Sequence, residues 1–568
     1  MINKPLFQDQ YKANLAFILF VAFAIIFMGI GLRDPWPADE PRFVEAAKEM
    51  VDSGRWFFPL RGGELYPDKP PIFMWSIAVL YKLTGNISNT FMIPNAIAGL
   101  IVILCVFDLG AKLWNVRVAC NASILLMIAP QLIIQAKAAQ IDAMVAAWIT
   151  LSMYGLLRHF FIKPNMKWYL FSWVCMALGI LTKGVGFLPI LLFIPLLYLH
   201  FVKKHSFAAP INRKLFFGPL LMLGTLLVWL APVLYFAATK DNPDFTAYRD
   251  NILLKQTATR YAKSLGHNEP WYYFVVSVIP VLWFPLYLFL FNKKSWAEIK
   301  ASPIIQCLLI WVVCVVIFFS ISPGKRGVYV LPAMPMLALA IGAIVTQTQV
   351  PQWINRAITG LAIIFASIFS VATVLSLIHS PLLTKHLGDD TSLYSLLFGL
   401  AALAWIAVLW RFKLKLTLPS FGISLGICWL LYSSIGYILL NPQRTPAKEI
   451  MANVKQTIGP DGELGLVRFK EQFLLFSPIP MTHFSYLASP QEQYRNAWLW
   501  MKEQDNRYIL AKRANGATCF DLSEGTLVGV AHRREWYLFD KSAMHPECDE
   551  PESIKRYYTP QTKLYDNL

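Results

Sequence analysis

The sequence predicts an all-α polytopic membrane domain of about thirteen transmembrane helices with a small α+β soluble C-terminal domain. Three observations predict it. Of 568 residues, 56% are hydrophobic and 15% charged, too little charge to cover a soluble chain of this length. Mean hydropathy is +0.48, and long apolar runs recur along most of the chain; a helix needs roughly 20 residues to cross ~30 Å of hydrocarbon. The net charge is +17, yet Lys and Arg gather in short loops between apolar runs. That pattern sets membrane orientation and argues against a nucleic-acid partner.

The expected spans lie near 15–32, 91–113, 117–134, 141–161, 168–182, 185–202, 214–238, 271–291, 303–321, 328–346, 354–379, 392–411 and 418–440. The first run is long for a secretory signal and lacks a small-residue cleavage site, so it reads as a retained anchor. Segment 71–84 is apolar but too short to span comfortably, and it reads as an interfacial or re-entrant helix. With the N-terminus inside, the basic loops 114–117, 162–167, 203–214, 292–302 and 411–415 all fall on the inner side. Counting 71–84 as a span would move loop 203–214 outside.

The expected division is therefore a membrane domain over 1–440, with outer loop 33–70 and interfacial helix 71–84, and an outer C-terminal domain over 441–568. In the latter, helices are expected near 446–457 and 490–503, with apolar alternations at 464–469 and 526–531. Cys105, Cys120, Cys175, Cys307, Cys314 and Cys428 sit in apolar runs as packing residues. Cys519 and Cys548 lie in the C-terminal domain, as a disulfide or as two free thiols.

This topology sends the chemically interesting residues to one side. The first outer loop carries Asp39, Glu40 and Arg42 among Pro35, Pro37 and Pro41, just before an expected helix. The apolar face of that helix, Phe43, Ala46, Ala47 and Met50, suits a membrane surface. Asp39 is either a capping acid or an acid that positions a hydroxyl, amine or sugar. The loop ends on Asp68 and Lys69 before Pro70 and Pro71, where an ammonium suits a phosphate at headgroup level or snorkels as an anchor. Asp142 opens the fourth span, and Lys183 with Gly184 forms a corner between two spans. His267 and Glu269 close a large outer loop, and Lys325 and Arg326 precede Tyr329. Two outward cations on a glycine-flanked loop fit a phosphate or pyrophosphate. A transporter should instead place ionisable groups at mid-span, often in two matching halves, and the sequence has no internal repeat.

In order, Asp39-Glu40-Pro41-Arg42-Phe43, Ser53-Gly54 with Trp56 and Pro59, Asp68-Lys69-Pro70-Pro71, Ile141-Asp142, Thr182-Lys183-Gly184, His267-Asn268-Glu269-Pro270 and Lys325-Arg326 with Tyr329 and Pro332 resemble the bacterial lipid A aminoarabinose transferases. The wider group is the C-type superfamily of membrane glycosyltransferases using polyprenyl-phosphate sugars, which includes the protein O-mannosyltransferases. The motifs cover about residues 10–345; the rest matches in architecture alone.

The resemblance implies an inverting transferase moving a sugar, such as 4-amino-4-deoxy-L-arabinose, from undecaprenyl phosphate to lipid A or a similar glycolipid. It implies catalytic roles for Asp39, Lys69 and Asp142. Donor phosphate and lipid contacts are expected from Lys183, Lys325, Arg326 and Tyr329, and substrate positioning from Glu40, Arg42 and Glu269. The resemblance fixes no cofactor, and the family pattern allows a divalent metal ion at Asp68 and His267. Here Asp68 stands for the family's Glu, one methylene shorter, and Lys325-Arg326 departs from a Lys-x-Lys pattern, which bears on the sugar. The implied place is a bacterial inner membrane, with the N-terminus cytoplasmic and the site and C-terminal domain periplasmic. The alternatives are a protein O-glycosyltransferase and, further off, a transporter or flippase.

Overall fold

The computed structural model describes residues 4–210, 212–240, 243–253, 268–388, 390–512 and 519–560. The chain divides into two compact units. The first comprises Met1–Leu32, Asp68–Phe73 and Met92–Leu439; the second comprises Arg33–Pro67, Met74–Phe91 and Leu440–Leu568. Most of the outer loop, and most of helix Ile72–Thr84, group with the C-terminal residues.

The first unit is a helical bundle, and the chain is a multi-pass membrane protein. Nine helices among the described residues are long and apolar enough to span, from Gln10–Phe27 to Leu418–Arg444. A tenth is formed if Val116–Ile128 and Pro130–Ala136 count as one span bent by 70°. Pro130 causes the break, because it drives Ala129 to extended backbone (φ −66°, ψ 116°).

Three expected spans do not meet this standard. Helix Met166–Lys183 is long enough but less apolar, and Leu188–Phe201 is short. The 271–291 run is interrupted by Pro280 and Pro285 into Phe274–Val278, Ile279–Leu282 and Leu286–Phe291. The expected thirteen thus becomes nine or ten by length and composition among the described residues.

Helix Met334–Thr348 lies at the heart of the bundle, with all but its last residues buried. Its small residues permit close approach, since a Cβ on Gly342 would lie 2.7 Å from Ala122. Asn121 donates to Thr346 across the same contact at 2.9 Å.

The second unit is built on a six-stranded mixed sheet in the order Thr526–Ala531, Arg534–Phe539, Arg507–Lys512, Glu463–Leu466, Met481–His483, Tyr557–Thr559. The pairs made by Glu463–Leu466 are parallel and the others antiparallel. Alternation directs Leu510 and Leu538 to one core, with Ile450 and Val454 of helix Ala447–Ile458. It directs Ile509, Tyr537 and Phe539 to the other core, with Trp498 and Met501 of helix Pro490–Lys502. Both helices and both strand signals stand close to where the sequence placed them. Cys519 and Cys548 form a disulfide.

Candidate functional site

Within the first unit, Asp142 occupies the first turn of helix Ile141–Leu157 without capping it, since neither it nor Gln140 is a side-chain cap. The preceding corner is fixed by Asn95, whose amide donates to the carbonyls of Ala138 and Gln140, both at 2.5 Å. Lys183, in the last turn of Met166–Lys183, donates to the Asp142 carboxylate. Its ammonium also lies 4.3 Å from the ring centre of Tyr329. Three residues singled out separately in the sequence therefore meet: an acid, a cation and an aromatic face. Both ionic side chains are largely shielded, at 14% and 9% exposure, so the pair attracts more strongly than a surface pair. The ammonium keeps N–H donors beyond the one given to Asp142.

The loop before Tyr329 is pinned to the loop before Trp271. Asn268 bridges to Gly324, and the buried Lys325 donates to the Glu269 carbonyl at 2.7 Å. Among the described residues, the printed partner of the Lys325 ammonium is that backbone carbonyl rather than a carboxylate. Gln131 holds the far side of the loop, donating to the Gly327 carbonyl at 2.7 Å while accepting from the Trp283 indole at 2.5 Å. The Glu269 side chain is exposed, and Asp68, Lys69 and Arg326 are half-buried. His267 lies outside the described residues. Among those residues, no three His, Cys, Asp or Glu side chains gather as a metal-sized group.

Sequence reasoning gave no role to Lys137. Its ammonium is buried and donates to the carbonyls of Ile25, Ile26 and Met28 at 2.8, 3.0 and 2.8 Å, closing the end of the first helix. A lysine in an apolar stretch was the available signal, but not its partner.

The second unit holds Asp39 and Glu40. Asp39 stands at the N-cap of helix Glu40–Ser53 and makes no cap hydrogen bond. Its carboxylate lies 4.0 Å from the Arg42 guanidinium. Glu40 and Arg42, expected to position substrate, are engaged by protein. Arg33 grips Glu40 with two hydrogen bonds of 2.5 and 2.7 Å, and the Trp36 amide donates to it at 2.7 Å. Arg42 donates through Nε to Glu471 at 3.3 Å, and Arg61 meets the same Glu471 oxygen.

Phe43, Ala46, Ala47 and Met50 of the helix are buried, so this face is not the membrane-facing surface that the sequence suggested. The hairpin Leu60–Arg61/Glu64–Leu65 turns on Gly62 and Gly63, both at positive φ. A Cβ on Gly62 would lie 2.5 Å from His483, which donates to the Gly62 carbonyl at 2.5 Å. Glu64 accepts from Ser485 and from the Tyr486 amide at 2.7 and 3.0 Å.

The family model for dolichyl-phosphate-mannose-protein mannosyltransferases matches residues 13–248. The undecaprenyl phosphate-alpha-4-amino-4-deoxy-L-arabinose arabinosyl transferase of Yersinia enterocolitica is 28% identical over 345 residues, 59% of this chain and 60% of that relative. The protein of the same name from Serratia proteamaculans is 28% identical over 341 residues, 58% of this chain and 59% of that relative. The match thus spans about three fifths of the length of these relatives. ArnT from Cupriavidus metallidurans bound to undecaprenyl phosphate superposes with a TM-score of 0.70 at 20% identity, covering 94% of this chain and 99% of that one. Its apo state gives 0.68 at 21%, with the same coverage. The fold of this chain is that of ArnT from Cupriavidus metallidurans.

Proposed function

We propose that this chain is an inverting glycosyltransferase that moves a sugar from undecaprenyl phosphate to lipid A or a similar glycolipid. An aminosugar such as 4-amino-4-deoxy-L-arabinose is the donor sugar this reading favours. The observation that carries it is the Asp142–Lys183–Tyr329 cluster, in a chain with the fold of an undecaprenyl-phosphate-bound transferase. A shielded ammonium on an aromatic face, with donors to spare, suits a lipid-linked phosphate.

In this reaction an oxygen of the acceptor phosphate bonds to the anomeric carbon as the bond to the carrier phosphate breaks. The bonding pair leaves on undecaprenyl phosphate. An anionic acceptor needs no general base, so no proton must move. Lys69, Lys183, Lys325 and Arg326 neutralise charge growing on the leaving phosphate, which is electrostatic stabilisation of the transition state. Asp39 and Asp142 orient the acceptor or a sugar amine, and Tyr329 lines the place of the lipid carrier. The chain sits in a bacterial inner membrane with its N-terminus in the cytoplasm and its reacting groups and C-terminal domain in the periplasm.

Mass spectrometry of outer-leaflet glycolipids with and without the gene tests this. A sugar-sized loss of mass from lipid A is expected, and unchanged lipid A would refute the acceptor. The family match over residues 13–248 favours one second reading, transfer to a protein hydroxyl. Asp39 would then be the general base, and an underglycosylated protein with unaltered lipid A would be the result.

A further inference from the structure

The C-terminal region carries two consecutive buried polar residues, Glu471 and Gln472, that open the short helix Glu471–Leu475. Neither belongs to a motif of the transferase resemblance. Glu471 accepts from Arg42 at 3.3 Å, and from Arg61. Gln472 donates to the carbonyls of Pro35 and Arg444, both at 3.1 Å. Pro35 precedes Asp39 by four residues and Arg42 follows it by three. One corner of the C-terminal region therefore grips the chain on both sides of Asp39.

Arg61 is itself held in place, with its guanidinium 4.3 Å from the ring centre of Tyr486 and 5.2 Å from that of Phe469. The result is an alternating row of charge, Arg61, Glu471, Arg42, Asp39, whose last two members stand 4.0 Å apart. Burial alone would raise the Glu471 carboxyl, but Arg61 and Arg42 hold it below its ordinary value. Two cations on one buried acid leave Arg42 a fixed rather than a roaming partner for Asp39. An arginine with five donors in a rigid fork can serve both acids at once.

We propose that Glu471 and Gln472 are positioning residues that set the Asp39 carboxylate for transfer, which gives the C-terminal region a direct part in the reaction. The inference rests on the proposed transferase reading. Neither residue needs to touch substrate. Misplacement of a reacting group by about 1 Å costs on the order of 10² in rate.

The test uses the purified full-length protein in lipid nanodiscs, with an undecaprenyl-phosphate aminosugar and lipid A. E471Q keeps shape and removes charge; it should lower kcat about 10²-fold with little change in donor KM. E471D, which restores the charge, should recover part of that loss. The deciding measurement is a double-mutant cycle with D39N. If Glu471 works through Asp39, D39N/E471Q should be no slower than D39N. Losses that multiply, or a wild-type kcat in E471Q, would overturn the proposal. Should E471Q fail to fold, Q472L carries the same cycle through the Pro35 side, with the same two outcomes. A wild-type protein inactive on this donor and acceptor would instead strike the transferase reading itself.

Discussion

Asp142 and Asp39 both open helices, and neither caps the helix it opens. They differ in how their charge is met. Asp142, in the membrane unit, has Lys183 directly on its carboxylate, and that lysine rests on Tyr329. Asp39, in the other unit, has Arg42 at 4.0 Å, and Arg42 is shared with Glu471. Asp142 is thus met by one compact pair, while Asp39 belongs to a relay of charges reaching into the C-terminal region. The difference follows from the surroundings. At the mouth of the helix it opens, Asp142 is held by a cation placed directly on its carboxylate. A loop beside a polar domain can spread the same charge over several groups.

Four experiments break or sharpen this contrast. The largest effect is expected at Lys69. Lys69→Ala should lower transfer by about 10²–10³-fold while the protein stays folded, read as turnover of lipid-linked sugar by purified protein. Near-normal turnover would remove Lys69 from the reaction.

The Arg33–Glu40 clamp comes next, with both side chains almost wholly buried. Arg33→Met removes the cation from a buried carboxylate and should cost about 4 kcal/mol, seen as earlier denaturant unfolding of the unit that holds Asp39. An unchanged midpoint would mean that the clamp is replaceable.

Lys183→Met in the membrane unit should cost about 2–3 kcal/mol, less because that pair is slightly more exposed. The double variant Asp142→Asn/Lys183→Met should regain stability but not transfer. Recovery of transfer would make the pair structural only.

The smallest effect is expected at His483. Burial pushes its imidazole down to about 4, against the favourable pull of the Gly62 carbonyl. The unfolded ring titrates near 6.5. Its contribution is therefore complete above about pH 6.5 and is lost as pH falls toward 4. His483→Gln keeps an N–H donor and should flatten that acid-side loss in pH-dependent unfolding curves. Identical curves for variant and wild type would assign the acid sensitivity elsewhere.

Much of the architecture was legible because it is local. Runs of apolar residues mark helices, so the expected and observed bundle helices coincide over most of the chain. Period-two alternation marked Thr526–Ala531, and turn chemistry marked the entry to Glu40–Ser53. The count of long apolar helices departs from expectation where a run is short, less apolar or broken by proline. The 271–291 run is apolar enough to suggest a span, but Pro280 and Pro285 break its backbone hydrogen bonding into short pieces. The expected surface helix failed for another reason. Phe43 and Met50 mark an apolar stripe, and a stripe cannot say whether lipid or protein will cover it.

The sequence by itself determined that this is a multi-pass membrane chain with an α+β domain, and which acids, cations and tyrosine were candidates for chemistry. Hydropathy, periodicity and ordered motifs are properties of neighbours along the chain. Only the tertiary structure decided which candidates meet. Asp142 finds Lys183 across 41 residues, and Arg42 finds Glu471 across 429. No local rule fixes such pairings, because they follow from how whole helices and strands pack. The same packing gave Glu40 to Arg33, since a buried carboxylate must be satisfied wherever the fold leaves it.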